Sequence, residues 1–231
     1  GAPYDQGPVA EVFDSAAMSF SLIAPPPLQG HPGPAALLGN GLVLVSGAET
    51  ISNGGADVAT FDVAVIFDPK SDSWAMATPM NEARGGSASA SLLDGRVIVT
   101  GGRTGSMSEM QFLKSAEIYD ATADKFTLAG DFQFNSTRGA ILDLGDGRVL
   151  AANAGAAELL ILESGKASVA YQYPTFRSSY GALLLPGPNA LIFGGTTAEM
   201  FDAKNNSFES IAPPEQWRDN AAAIAGPGGK A

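Results

Sequence analysis

Four arginines stand in a recurrent setting, each followed by small residues: Arg84 in "RGGSASASLL" (84–93), Arg138 in "RGAILDL" (138–144), Arg177 in "RSSYGALLL" (177–185) and Arg218 in "RDNAAAIAG" (218–226). A further copy has Gly30 at that place, with His31, the chain's one histidine, beside it. Guanidinium groups grip carboxylates with two parallel hydrogen bonds, so converging arginines would form an anion site in a chain of net charge −11. The alternative is structural, with each arginine bonded to backbone carbonyls between neighbouring units. The sequence leaves both open. Two series of carboxylates accompany the arginines. Asp14, Asp68, Asp120 and Asp202 each open a polar turn, which an Asx cap explains without chemistry. Glu11, Glu117, Glu158 and Glu199 recur at one strand position and read as structural.

Other chemistries find little material. With one histidine and no cysteine, this chain cannot by itself assemble a two-histidine or Cys–His centre, and it has no disulfide framework. No cofactor and no metal site is called for by its residues. The charge of −11 argues against nucleic acid and against an anionic membrane surface. No apolar run approaches the ~18 residues that a spanning helix needs, so membrane insertion is not expected.

The elements that must position these residues follow from a repeat. Each unit has the arginine and small residues first. A turn and an apolar strand come next: "NGLVLVSGA" (40–48), "DGRVIVTGG" (94–102), "DGRVLAANA" (146–154) and "PNALIFGGT" (188–196). An alternating strand, an acidic turn and an aromatic close the unit: "AEVFDSAAMSF" (10–20), "AVIFDPKSDSW" (64–74), "AEIYDATADKF" (116–126) and "AEMFDAKNNSF" (198–208). The aspartates lie 54, 52 and then 82 residues apart, the last interval spanning two short units. The copy inside it, "AELLILESGKASVA" (157–170), is degenerate; Glu163 is read as standing where the others have Asp, and no aromatic follows. The 28 glycines and 15 prolines exceed the usual share of about 12% for the two together, which fits many turns.

Each unit therefore reads as four strands: a small-residue inner strand, an apolar strand buried on both faces, an alternating strand, and an outer strand beginning at the aromatic. Four-stranded sheets repeated at ~40–50 residues make an all-β propeller, whereas a β-solenoid would repeat at shorter intervals. About four full antiparallel blades are expected, with partial blades at both ends. The boundaries are a partial blade over 1–26, blades over 27–80, 81–132, 133–174 and 175–214, and the start of another over 215–231. The unmatched ends suggest one domain cut from a longer propeller of about six or seven blades.

The Gly-Gly ending the apolar strand, the Tyr/Phe-Asp before the turn and the Trp/Phe six residues after that Asp resemble the kelch repeat. The stretch "FDPKSDSWAMATPMNEARGGSASASLLDGRVIVTGG" (67–102) is most similar to propellers of the galactose-oxidase type. The resemblance covers nearly the whole chain and implies the fold, but kelch propellers include enzymes and binding modules alike. It implies that the repeated arginines serve acidic peptides in some relatives, and that certain bacterial ones are cofactor-free sugar-acid isomerases. Copper-radical oxidases of this type use two histidines, tyrosines and a cross-linked cysteine. Those histidine and cysteine positions find no match here; in a fragment, metal ligands would lie outside this chain.

Within a blade, the turns between first and second and between third and fourth strands share one rim. The loops between second and third strands and the connections between blades share the other. Two of the latter set are long, "AETISNGGADVATFD" (48–62) and "RTGSMSEMQFLK" (103–114), and loops on a rigid scaffold are where binding concentrates. Met107, Met110 and Phe112, after Arg103, give the second loop an apolar contact surface. The candidate binding residues are thus Arg84, Arg138, Arg177, Arg218, His31, Arg103, Met107, Met110 and Phe112. The leading expectation is a non-catalytic, monomeric module for a protein or glycan ligand, acidic if the arginines take part. A carbohydrate-active enzyme without cofactor is the alternative. The acidic, cysteine-free, Gly- and Ala-rich units resemble bacterial exported kelch proteins, which implies an extracellular or periplasmic location, with a cytoplasmic one left open.

Overall fold

The computed structural model describes residues 9–52, 57–135, 139–153, 155–172, 181–185, 187, 189–194 and 196–212. The described residues are strands, turns and loops, with no helix. A hairpin comes first, β1 (Ala10–Asp14) with β2 (Ser19–Ile23). Blade I follows as β3 (His31–Pro32), β4 (Ala35–Leu37), β5 (Val43–Ser52), β6 (Asp57–Asp68) and β7 (Ser73–Met76), with β3 and β4 both on the free edge of β5. Blade II is β8 (Ala88–Ser91), β9 (Val97–Thr100), a small ribbon of β10 (Arg103–Thr104) and β11 (Gln111–Phe112), then β12 (Ser115–Asp120) and β13 (Lys125–Asp131). Blade III is β14 (Ala140–Asp143), β15 (Arg148–Ala152), β16 (Ala156–Ile161) and β17 (Lys166–Gln172). Blade IV is β18 (Gly181–Leu184), β19 (Ala190–Gly194), β20 (Thr197–Asp202) and β21 (Ser207–Ile211). Pairing within every blade is antiparallel and sequential, while a parallel contact of β13 with β17 joins the outer strands of blades II and III.

The first strands β4, β8, β14 and β18 touch one another in chain order, which puts them on the inside of the arc. Hydrogen bonds tie this inner rank together: Gly39 N to Gly95 O at 2.9 Å, Ser91 Oγ to Leu37 O at 2.7 Å, and Leu93 N to an Asp143 carboxylate oxygen at 2.7 Å. The second strands carry the burial. Val97, Ile98 and Val99 are completely buried, and their alternation sends Val97 and Val99 toward blade I and Ile98 toward blade III. The core consequently lies between blades rather than within them, in three clusters at the I–II, II–III and III–IV junctions. That division is the reason an unbroken apolar strand recurs in each unit.

The acidic turns are built as the sequence suggests. Asp14, Asp68, Asp120 and Asp202 each accept backbone N–H groups from two or three residues onward. Four residues after each aspartate the backbone turns left-handed, at Met18, Asp72, Asp124 and Asn206, with φ between 43° and 52°. The aromatics flanking the turn pair across the hairpin at 4.7–4.9 Å: Phe13 with Phe20, Phe67 with Trp74, Tyr119 with Phe126, and Phe201 with Phe208.

Blade III corrects one expectation. Its register pairs Ile161 with Lys166, as Asp120 pairs with Lys125, so Ile161 and not Glu163 occupies the aspartate's place. Glu163 lies within the turn. Lacking the carboxylate cap, this turn has Gly165 at its left-handed position, where a glycine pays no steric cost. The two long loops also differ from simple loops. Residues 48–52 and 57–62 continue the β5–β6 hairpin past a register shift at Ser46/Ala48, and residues 103–112 include the β10–β11 ribbon.

Candidate functional site

The repeat registers place Glu49 of blade I and Arg103 of blade II at equivalent positions, three residues beyond Ser46 and Thr100 respectively. On the rim where first strands begin and second strands end, the two side chains meet across the blade junction. Arg103 donates from Nε to Oε2 of Glu49 at 3.0 Å, and its Nη2 lies 2.9 Å from the same oxygen as an ion pair. Glu49 is 6% exposed, and the contact depends on Gly85, whose missing Cβ would lie 2.4 Å from that oxygen. The β10–β11 ribbon is further fixed by Gly105 N, which donates to Thr60 Oγ1 on the extended β6. Blades I and II thus share one continuous rim surface.

A cavity of about 430 Å³ opens beside this ion pair, within the size range of small-ligand sites. Its walls come from β3 and its neighbours (His31, Pro32, Pro34), the end of β5 (Glu49, Ile51) and the approach to β8 (Gly86, Ser87). His31 stands directly opposite Glu49 in the β3–β5 register and is exposed, so imidazole and carboxylate project on one face at neighbouring positions. Met107 and Phe112 are exposed on the ribbon; Met110 is half-buried, its sulfur 3.9 Å from Nη1 of Arg103.

Arg84 has a different setting. It is wholly buried, and all three guanidinium nitrogens are engaged inside the protein. Nε and Nη2 donate to Oε1 of Glu117 at 3.1 and 3.0 Å, Nη1 to the carbonyls of Gly101 and Ser115, and Nη2 also to Ser115 Oγ and Glu82. The other carboxylate oxygen of Glu117 accepts the backbone N–H and side-chain amide of Asn81 at 2.7 Å. Glu158 repeats half of this arrangement in blade III, accepting the N–H groups of Gln133 and Phe134. Burial pushes its carboxyl above the usual range, against the pull of those two N–H groups and the charge of Lys114. The recurrent glutamates therefore clasp the incoming connection between blades. Glu199 holds the same position, 1% exposed. In blade I the pair is replaced as a unit: Val65 stands for the glutamate and Gly30 for the arginine, and His31, next to Gly30, lines the cavity.

Arg138, Arg177 and Arg218 lie outside the described residues, so of the four arginines only Arg84 is placed. Glu49, with the prolines and Ser87, is the part of the site that sequence reasoning missed. Its signal was the register itself, which aligns Glu49 with Arg103 once Val43 is laid on Val97. Among the described residues no group of three or more His, Asp or Glu side chains converges as a metal site.

The model of the Kelch motif family matches residues 84–133. No curated protein sequence matches the chain. Among solved structures, that of YjhT superposes with a TM-score of 0.70 at 14% identity, over 90% of this chain and 78% of the other. A novel fungal alcohol oxidase of the AA5 family in complex with copper aligns with a TM-score of 0.49 at 16% identity, over 91% of this chain and 60% of its own. Interblade cores, sequential four-stranded sheets and the likeness to YjhT agree that the chain has a β-propeller fold, within which residues 84–133 match the Kelch motif.

Proposed function

We propose that this propeller is a non-catalytic binding module that receives a protein segment or a glycan on the long-loop rim of blades I and II. The observation that supports it best is the cavity of about 430 Å³ with a charged, nine-tenths buried side chain in its wall. Around it, exposed Ile51, Met107 and Phe112 offer apolar contact to whatever extends beyond the cavity. A protein segment and a glycan both present polar groups on an apolar framework, which this surface suits. The sugar-acid isomerase reading drew on an arginine-lined channel, and Arg84 keeps its guanidinium for Glu117 and the backbone.

Screening the chain against glycan and peptide arrays, followed by His31→Ala and Phe112→Ala, tests the proposal. Both side chains are exposed, so the melting temperature should stay within about 2 °C while affinity falls at least tenfold. Binding that survives both substitutions would move the site elsewhere. Turnover of a sugar acid by metal-free protein would overturn the non-catalytic reading.

A further inference from the structure

Resting on that reading of the rim cavity, we infer that it selects an uncharged, hydroxyl-bearing ligand, a neutral sugar residue, and discriminates against carboxylates. The argument starts from the way Arg103 holds Glu49. Nε donates to Oε2 and Nη2 lies 2.9 Å from that same oxygen, so the guanidinium does not grip the carboxylate from two sides. Oε1 has no hydrogen-bond partner among the described residues, and Glu49 lines the cavity, so this oxygen is the acceptor offered there. An ionised carboxylate only accepts, so the ligand must bring a hydrogen-bond donor. The guanidinium 2.9 Å from Oε2 offsets part of the negative charge, which lessens the pull on an ammonium group, while the charge remaining on Oε1 accepts from a hydroxyl and opposes a second carboxylate.

The remaining wall fits the same ligand. Pro32, Pro34 and Ile51 present C–H surface for the apolar face of a sugar ring, and exposed His31 serves as donor or acceptor at the mouth. No lysine or arginine lines the cavity to receive an anion. Arg103 donates Nε to Glu49 with Nη2 paired to the same oxygen and turns Nη1 to the Met110 sulfur, Arg84 is buried and engaged, and a ligand carboxylate would face Oε1 as a like charge. The net charge of −11 adds long-range repulsion.

The test compares methyl hexosides with the matching uronates, and with a Glu-rich peptide, by ligand-observed NMR on the whole chain at neutral pH. The neutral glycosides should bind at least tenfold more tightly than their uronates. Glu49→Gln should narrow that ratio by removing the repulsion. Because Glu49 is buried against Arg103 and its substitution risks the fold, Ile51→Arg on the exposed lip provides a second reading, raising uronate affinity relative to the neutral sugar. Uronates or the acidic peptide binding as tightly as the neutral glycosides would overturn the selectivity and leave the binding module intact. If no probe binds, the neutral-sugar inference falls, and the array screen alone decides the binding module.

Discussion

Replacing Glu117 by valine copies into blade II what blade I already has at Val65, and its cost can be worked from the contacts. The carboxylate is completely buried and accepts from Asn81 N and Nδ2, from Glu82 N, and from Nε and Nη2 of Arg84. Its removal takes the buried carboxylate from the guanidinium, leaving it only the partly exposed Glu82, and frees the connection between blades I and II. Breaking a buried pair by removing one partner costs about 3–5 kcal/mol. For a chain of this size each kcal/mol lowers the melting temperature by about 2–4 °C, so a fall of about 10 °C is expected. Thermal and urea denaturation of the single variants Glu117→Val and Arg84→Met, and of the double, would close the cycle. The double should cost less than the two singles together by at least about 1 kcal/mol, since it leaves no unpaired charge. A Glu117→Val cost below about 1 kcal/mol, or strict additivity, would refute the claim that the pair acts as one clasp.

Three further outcomes follow from the same geometry. Met18→Asn puts a residue tolerant of the left-handed region where φ is 51°, and should raise stability by about 0.5–1 kcal/mol, read as slower amide exchange in β1–β2; faster exchange would count against it. Ile98→Ala, at a completely buried position between blades II and III, should cost about 3–4 kcal/mol in urea, whereas Leu128→Ala, 66% exposed, should change stability by less than about 0.5 kcal/mol. The carboxyls of Asp14 and Asp68 lie below their ordinary 3.8, held there by N–H groups of their own turns, so their stabilisation is complete above pH 3.8 and is lost as the pH falls below it. Glu158 runs the other way. Its carboxyl is raised above 4.5 by burial, so its protonated form favours folding and the contribution fades as the pH rises through that region. The melting-temperature deficit of Glu158→Gln against wild type should therefore shrink between pH 4 and pH 7; a deficit that grows would contradict this sign.

Much of the fold is legible along the chain because its causes are local. The aspartate caps, the left-handed residue four places later and the aromatic pair all lie within one hairpin, so "FDPKSDSW" carries its own turn. The alternation of Val97, Ile98 and Val99 needed only the period of a strand and the presence of neighbouring blades. Where the local signal was lost, the reading slipped: without the cap, Glu163 looked like the missing carboxylate, and only pairing with Lys166 identified Ile161. The site belongs to the other kind of information. Glu49 and Arg103 are 54 residues apart, and neither is marked as a partner of the other until two blades lie side by side. Likewise the recurrent arginine gave no sign of whether it faced a channel or a buried glutamate; Ser115 and Glu117 of β12 hold Arg84 inside the protein. The sequence by itself determined the blades, since strand period and turn chemistry act over a few residues. Only the tertiary structure decided which charges are consumed within the protein and which oxygen of Glu49 is left outside the ion pair, because that depends on contacts between blades that no local pattern encodes.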